Sequence, residues 1–170
     1  MVAGTPSADS AESRARAAAG TVTDPELPFL TIVDLGLVRS VAFAADGVLE
    51  VGLALTYSGC PATALIRERV AAALRSAGFA GARIIDVLAP PWSSDWLGEE
   101  AREKLRRHGI APPVGAVHSP RELWRAGAPI HCPRCDSPST EEVSHFGSTP
   151  CKALYRCRDC LEPFEYFKCI

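Results

Sequence analysis

The chain has 170 residues, 47% of them apolar and 22% charged, with a formal net charge of −2. That composition excludes a disordered, collagen-like or coiled-coil chain and gives room for one domain plus a small appendage. It also lacks the basic excess of a protein built to hold nucleic-acid phosphates. No apolar stretch approaches the ~20 residues that cross a bilayer, and the amino-terminal segment lacks the apolar core of a secretory signal. A cytoplasmic protein with no membrane or nucleic-acid partner is therefore expected.

Residues 1–20, rich in Ala and Ser, read as a flexible segment with at most a frayed helix over Ala11–Ala19. Residues 21–111 read as an α+β domain, a small sheet covered by helices. Leu37–Ala45 and Val48–Thr56 are predicted strands joined at Asp46-Gly47, a strong hairpin signal. In the second of them Leu49, Val51, Leu53 and Leu55 share one face. After the loop Tyr57-Ser58-Gly59-Cys60, Pro61 opens a helix to about Ala77, stopped by Gly78. Ala82–Leu88 is a third strand, and Ser94 can cap a helix that ends near His108 and Gly109. Residues 112–130 form a linker, in a stretch punctuated by Pro112, Pro113, Gly115, Pro120, Gly127 and Pro129.

Six of the seven cysteines follow that linker, in residues 131–170. Cys132-Pro-Arg-Cys135 and Cys157-Arg-Asp-Cys160 are two Cys-x-x-Cys knuckles at zinc-ribbon separation, and each knuckle aims two thiolates at one point. A tail of this size is too short to fold on a hydrophobic core alone, so one structural Zn²⁺ per chain is expected to supply much of its stability. Thiolates also hold iron, and spacing alone leaves zinc and iron both open. Short strands are predicted at Val143–Phe146, Ala153–Arg156 and Phe164–Phe167, with Phe164, Tyr166 and Phe167 offered as part of a docking surface. Cys151 and Cys169 fall outside the knuckle spacing. His131 and His145 read as neighbours of the site rather than ligands, and His108 and His118 are isolated.

Cys60, the one cysteine outside that group, stands just ahead of a helix start, where unpaired N–H groups and the helix dipole favour a thiolate. It is either a nucleophile or soft-metal ligand, or a small buried hydrophobe at a turn. Asp34, in a loop closed by Gly36, is costly to bury without a task or a capping partner. It is either a companion of Cys60 or an ordinary turn carboxylate.

Asp24-Pro25-Glu26, Asp34-Leu35-Gly36 and Thr56-Tyr57-Ser58-Gly59-Cys60-Pro61 resemble the SufT-like iron–sulfur cluster assembly domain. A longer resemblance runs from Val22 to Lys168. Pro90-Pro91-Trp92-Ser-Ser-Asp95-Trp96 and Phe146-Gly-Ser-Thr-Pro-Cys-Lys-Ala-Leu-Tyr155, together with the two knuckles, are similar to the PaaD family of the bacterial phenylacetyl-CoA epoxidase system. The resemblance implies an accessory, non-catalytic component in aerobic phenylacetate catabolism. It would assist maturation or assembly of the iron–sulfur reductase and oxygenase components, which are its implied partners. Cys60 would be the residue that handles transient iron or an iron–sulfur cluster. A scaffold tethering oxygenase to reductase is the alternative. The chain itself carries no Glu-x-x-His di-iron pair and no plant-type ferredoxin spacing.

Overall fold

The computed structural model describes residues 8–54, 56, 62–115 and 129–168, and these fall into two units, one ending at Trp92 and the other beginning at Ser93. In the first unit a helix α1 (Ala8–Gly20) precedes a hairpin of β1 (Val38–Phe43) and β2 (Leu49–Leu53), followed by α2 (Ala62–Ser76) and β3 (Arg83–Asp86). The sheet has the order β1-β2-β3, antiparallel between β1 and β2 and parallel between β2 and β3, as a helical crossover requires.

The amino-terminal segment corrects the expectation of a flexible stretch. Ala11, Ala15 and Ala19 recur every four residues and are buried, so α1 packs through a narrow alanine stripe. The hairpin turns at Asp46-Gly47 as expected, with Gly47 at φ +78° and Asp46 Oδ1 accepting the Val48 N–H at 3.0 Å. Leu49, Val51 and Leu53 are buried on β2. Gly52 lies between them where a Cβ would fall 2.3 Å from Ser40 Oγ and 2.8 Å from Val87 Cγ2, so only glycine lets the neighbouring strands' side chains close over this point. Helix α2 buries Ala62, Ile66, Val70 and Leu74, while Leu65 faces outward. It ends at Gly78 (φ +92°): the Gly78 N–H donates to the Arg75 carbonyl and the Phe79 N–H to that of Leu74, the paired bonds of a glycine-terminated helix.

The second unit holds a 3₁₀ turn (Ser94–Trp96), α3 (Glu99–Arg107), and four strands, β4 (Ile110–Ala111), β5 (Thr140–Ser144), β6 (Lys152–Cys157) and β7 (Pro163–Phe167). Two expectations change here. Ser94 does not cap a long helix: Ser93 Oγ accepts the Asp95 N–H to start the 3₁₀ turn, Leu97 is extended, and α3 starts afresh from Gly98. Ser94 is instead fully buried, and its carbonyl accepts from Arg102. The expected boundary at 111/112 also moves. β4 pairs in parallel with β7 to give the order β4-β7-β6-β5, and the chain divides after Trp92. Of the expected 112–130 linker, residues 116–128 lie outside the described residues, and the two residues ahead of it are already committed to the ribbon sheet.

Candidate metal centre

The four knuckle cysteines converge. Cys132 Sγ lies 3.7 Å from Cys160 Sγ and Cys135 Sγ lies 3.6 Å from Cys157 Sγ, and all four sulfurs are within 4.8 Å of one another. A tetrahedron with metal–sulfur bonds of about 2.3 Å has sulfur–sulfur edges of about 3.8 Å, so these donors fit a single tetrahedral ion. Two-metal clusters spread their thiolates over separate iron atoms and need a wider cage.

The same local geometry builds both knuckles. The Cys132 N–H donates to the Ser137 carbonyl and the Cys157 N–H to the Glu162 carbonyl, each five residues on. The residue after the second cysteine is left-handed in both cases, Asp136 at φ 59° and Leu161 at φ 63°. This αL step folds the chain back after the second thiol of each pair. It is usually a glycine's task, and here two side-chain-bearing residues perform it. His131 Nδ1 lies 2.9 Å from the Asp136 carbonyl oxygen and so braces the first knuckle rather than adding a ligand. Ser137 donates to the Asp159 carboxylate, and the Arg158 N–H donates to the Ser139 carbonyl, which joins one knuckle to the other.

Without a cation the four thiols cannot all ionise. Cys157 is drawn down to about 7 by the Cys160 backbone N–H, with the Asp159 N–H helping against burial. At Cys135 the Ser137 backbone contact pulls down, but desolvation and the three neighbouring sulfurs prevail and push it up to about 12. One thiolate forms readily while Cys135 and Cys160 are held protonated, which is the electrostatic state that a divalent cation resolves.

Cys132 and Cys157 also belong to a buried cluster with Ala111, Ala153, Phe164 and Tyr166. This overturns the expected docking role of Phe164, Tyr166 and Phe167, which are 5%, 7% and 2% exposed. β7 is an interior strand, flanked by β4 and β6, so its aromatics form core. Among the described residues, the exposed large apolar side chains of the ribbon are Val143, Phe146 and Leu161.

One interior ion pair gave little warning in the sequence. Lys152, 4% exposed, donates from Nζ to Glu165 Oε2 at 2.7 Å, and Glu165 Oε1 accepts the Ser148 N–H, also at 2.7 Å. Burial raises the Glu165 carboxyl, but Lys152 and Ser148 outweigh it and hold it below the usual range. A Cβ on Gly147 would approach Glu165 Oε1 to 2.8 Å, so this glycine admits the carboxylate. The only signal was a lysine and a glutamate at inward positions of otherwise apolar strands. Cys151 stands beside this turn with its sulfur 3.1 Å from Thr149 Oγ1, away from the metal centre.

In the first unit Asp34 closes a turn. Its Oδ2 accepts the Thr31 N–H at 2.8 Å while Thr31 Oγ1 accepts the Asp34 N–H at 3.0 Å, a reciprocal box. Around it Leu30, Ile32, Leu35 and Leu37 are buried, and the buried Trp92 donates from Nε1 to the Leu35 carbonyl at 2.8 Å. Asp24 caps the preceding turn by accepting the Glu26 and Leu27 N–H groups. Cys60, Cys169 and His118 lie outside the described residues.

Comparison with known proteins accounts for both units. The chain is 47% identical over 152 residues to an Escherichia coli protein named as the putative D component of 1,2-phenylacetyl-CoA epoxidase, covering 88% of this chain and 87% of that one. The chain belongs to that PaaD family. Residues 117–168 match the family model described as the PaaD zinc beta ribbon domain, and residues 12–84 match that of the iron–sulfur cluster assembly protein. Over 50% of its length the chain is 40% identical to a Porphyromonas gingivalis Fe-S protein maturation auxiliary factor, 81% of which is covered. Among solved structures, a Bacillus anthracis domain of unknown function, DUF59, is similar at 28% identity. That match has a TM-score of 0.52 over 57% of this chain and 92% of the other. For this PaaD family member, then, the α+β assembly fold and the four-cysteine metal site occupy separate units of one chain. No helix among the described residues is long and apolar enough to cross a membrane.

Proposed function

We propose that the chain is an accessory component of a phenylacetyl-CoA epoxidase system, assisting iron–sulfur cluster maturation of its redox components in phenylacetate catabolism. The observation that carries this reading is the joining, in one PaaD family chain, of an iron–sulfur assembly module at residues 12–84 to the ribbon at 117–168. Residues Cys132, Cys135, Cys157 and Cys160 hold one Zn²⁺, a choice supported by the mononuclear sulfur spacing and by the ribbon's family model. Zinc there supplies a cross-link between two hairpins and no redox chemistry.

Cys60 handles the iron or cluster in transit, which is substrate rather than resident cofactor. Helix α2 begins at Ala62, two residues on, so its free N–H groups favour an anionic thiol. Asp34 holds the turn that supports the same unit. The reductase and oxygenase components are the partners. The test is Cys60→Ser in cells co-expressing the reductase, with iron and acid-labile sulfide measured in the purified reductase. A severalfold loss of cluster is expected; full occupancy with undiminished epoxidase activity sinks the reading.

The second reading, a tether between oxygenase and reductase, is favoured by the exposed Phe146, which Lys168 holds in place with Nζ 4.7 Å from the ring centroid. In that case Cys60→Ser is silent, while Phe146→Asp abolishes co-purification.

A further inference from the structure

The four thiols that face one another are unequal in their surroundings. The first cysteine of each knuckle, Cys132 and Cys157, is 2% and 0% exposed and is packed among Ala111, Ala153, Phe164 and Tyr166. The second of each, Cys135 and Cys160, is exposed. A groove of about 750 Å³ opens against the first knuckle and is lined by both Cys132 and Cys135 with Arg134, Pro113 and Val114, so the inner and outer distinction rests on burial: Cys132 is 2% exposed while Cys135 is open. The αL residues that follow Cys135 and Cys160 turn the chain away at once, and Asp136 and Leu161 are themselves exposed.

We propose that the metal centre has a fixed inner half, Cys132 and Cys157, and a chemically accessible outer half, Cys135 and Cys160, through which electrophiles attack and the ion is released. This rests on the reading that the site holds zinc. The physical reason is that reagents reach sulfur only along open surface, whereas the inner sulfurs are sealed by the ribbon's hydrocarbon and yield only if the sheet opens. In the reaction with an alkyl iodide, the Cys135 or Cys160 thiolate would displace iodide. A carbon–sulfur bond forms, the carbon–iodine bond breaks, and the resulting neutral thioether is a poor ligand for Zn²⁺. Two such losses would leave only Cys132 and Cys157 to hold the ion, too few donors to keep it from a chelator. The site is thus a modification target as well as a structural cross-link: electrophiles would release its metal from the solvent side before the core is disturbed.

The test uses the full chain as purified. Zinc content is measured first, and a protein without about one equivalent of metal refutes the zinc reading itself. The zinc-loaded protein is then treated with iodoacetamide. Labelled sites are located by peptide mass over time, zinc release is followed with a chromophoric chelator, and the remaining cysteines are scored on their own peptides. Expected are labelling of Cys135 and Cys160 about tenfold faster than of Cys132 and Cys157, and zinc release that keeps pace with the outer pair. Equal rates at all four sites, inner sulfurs reacting first, or release that precedes any labelling would overturn the proposal. As a second arm, Cys135→Ser and Cys132→Ser are compared by zinc affinity and near-ultraviolet circular dichroism at saturating zinc. The outer variant regains the native spectrum and the inner one does not; the reverse order refutes the inner and outer assignment.

Discussion

The unit that ends at Trp92 buries Leu30, Ile32, Leu35, Leu37, Val51, Leu53, Val70 and Leu74 almost completely, an ordinary aliphatic core assembled from a sheet and its helices. The unit that begins at Ser93 has a thinner interior: around its ribbon two of the buried groups are the thiols of Cys132 and Cys157, and a charged pair, Lys152–Glu165, occupies space that hydrocarbon fills in the other unit. The first can persist on apolar burial, whereas the second is expected to lean on a metal at its four thiols and on the Lys152–Glu165 pair. Stability in this molecule is therefore separable by chemistry.

The largest effect is expected from metal removal. Chelation, or Cys157→Ala, should unfold the four-stranded sheet while leaving the first unit's amide resonances in place. Loss of both sets together would erase the contrast. Next comes Glu165→Ala, which strands the Lys152 ammonium in the interior. Breaking a buried pair from one side costs roughly 3 kcal/mol, read as a lower denaturant midpoint for the second unit alone. Glu165 is held below the usual carboxylate range, so its contribution is fully present above the unfolded carboxyl's pKa and fades as pH falls through the lower folded value. The gap between wild type and Glu165→Ala should accordingly narrow in acid, and a gap independent of pH would deny the ion pair its role. The smallest is Leu161→Gly. Removing a side chain from an αL position should stabilise the metal-loaded ribbon by about 1 kcal/mol, measured by thermal unfolding at fixed metal concentration; a loss of stability would mean that the Leu161 side chain supports the knuckle.

Much of this was legible from residue order alone. Paired cysteines announce their own convergence because a knuckle is local, and Asp46-Gly47 and Gly78 mark their turns for the same reason. The rest depended on distant partners. Ala11, Ala15 and Ala19 look like low-complexity filler until a sheet and a helix lie against them. The alternation in Phe164-Glu-Tyr-Phe167 is compatible with a surface or a core, and only the strand order decides for the core. Asp34 could be read as a turn carboxylate or a site residue, and its bonds with Thr31 show the turn. The division after Trp92 was hidden because β4 is two residues long and its pairing with β7 spans more than fifty positions.

That short strand bears on how the ribbon can be handled in isolation. Cutting the chain after Ala111, where the prolines invite it, would strip β7 of one neighbour and leave the N–H and C=O groups of an apolar strand unpaired at the sheet margin. Such a fragment should self-associate and precipitate even when fully loaded with metal, whereas one begun at Ser93 keeps its own edge guard and should remain soluble.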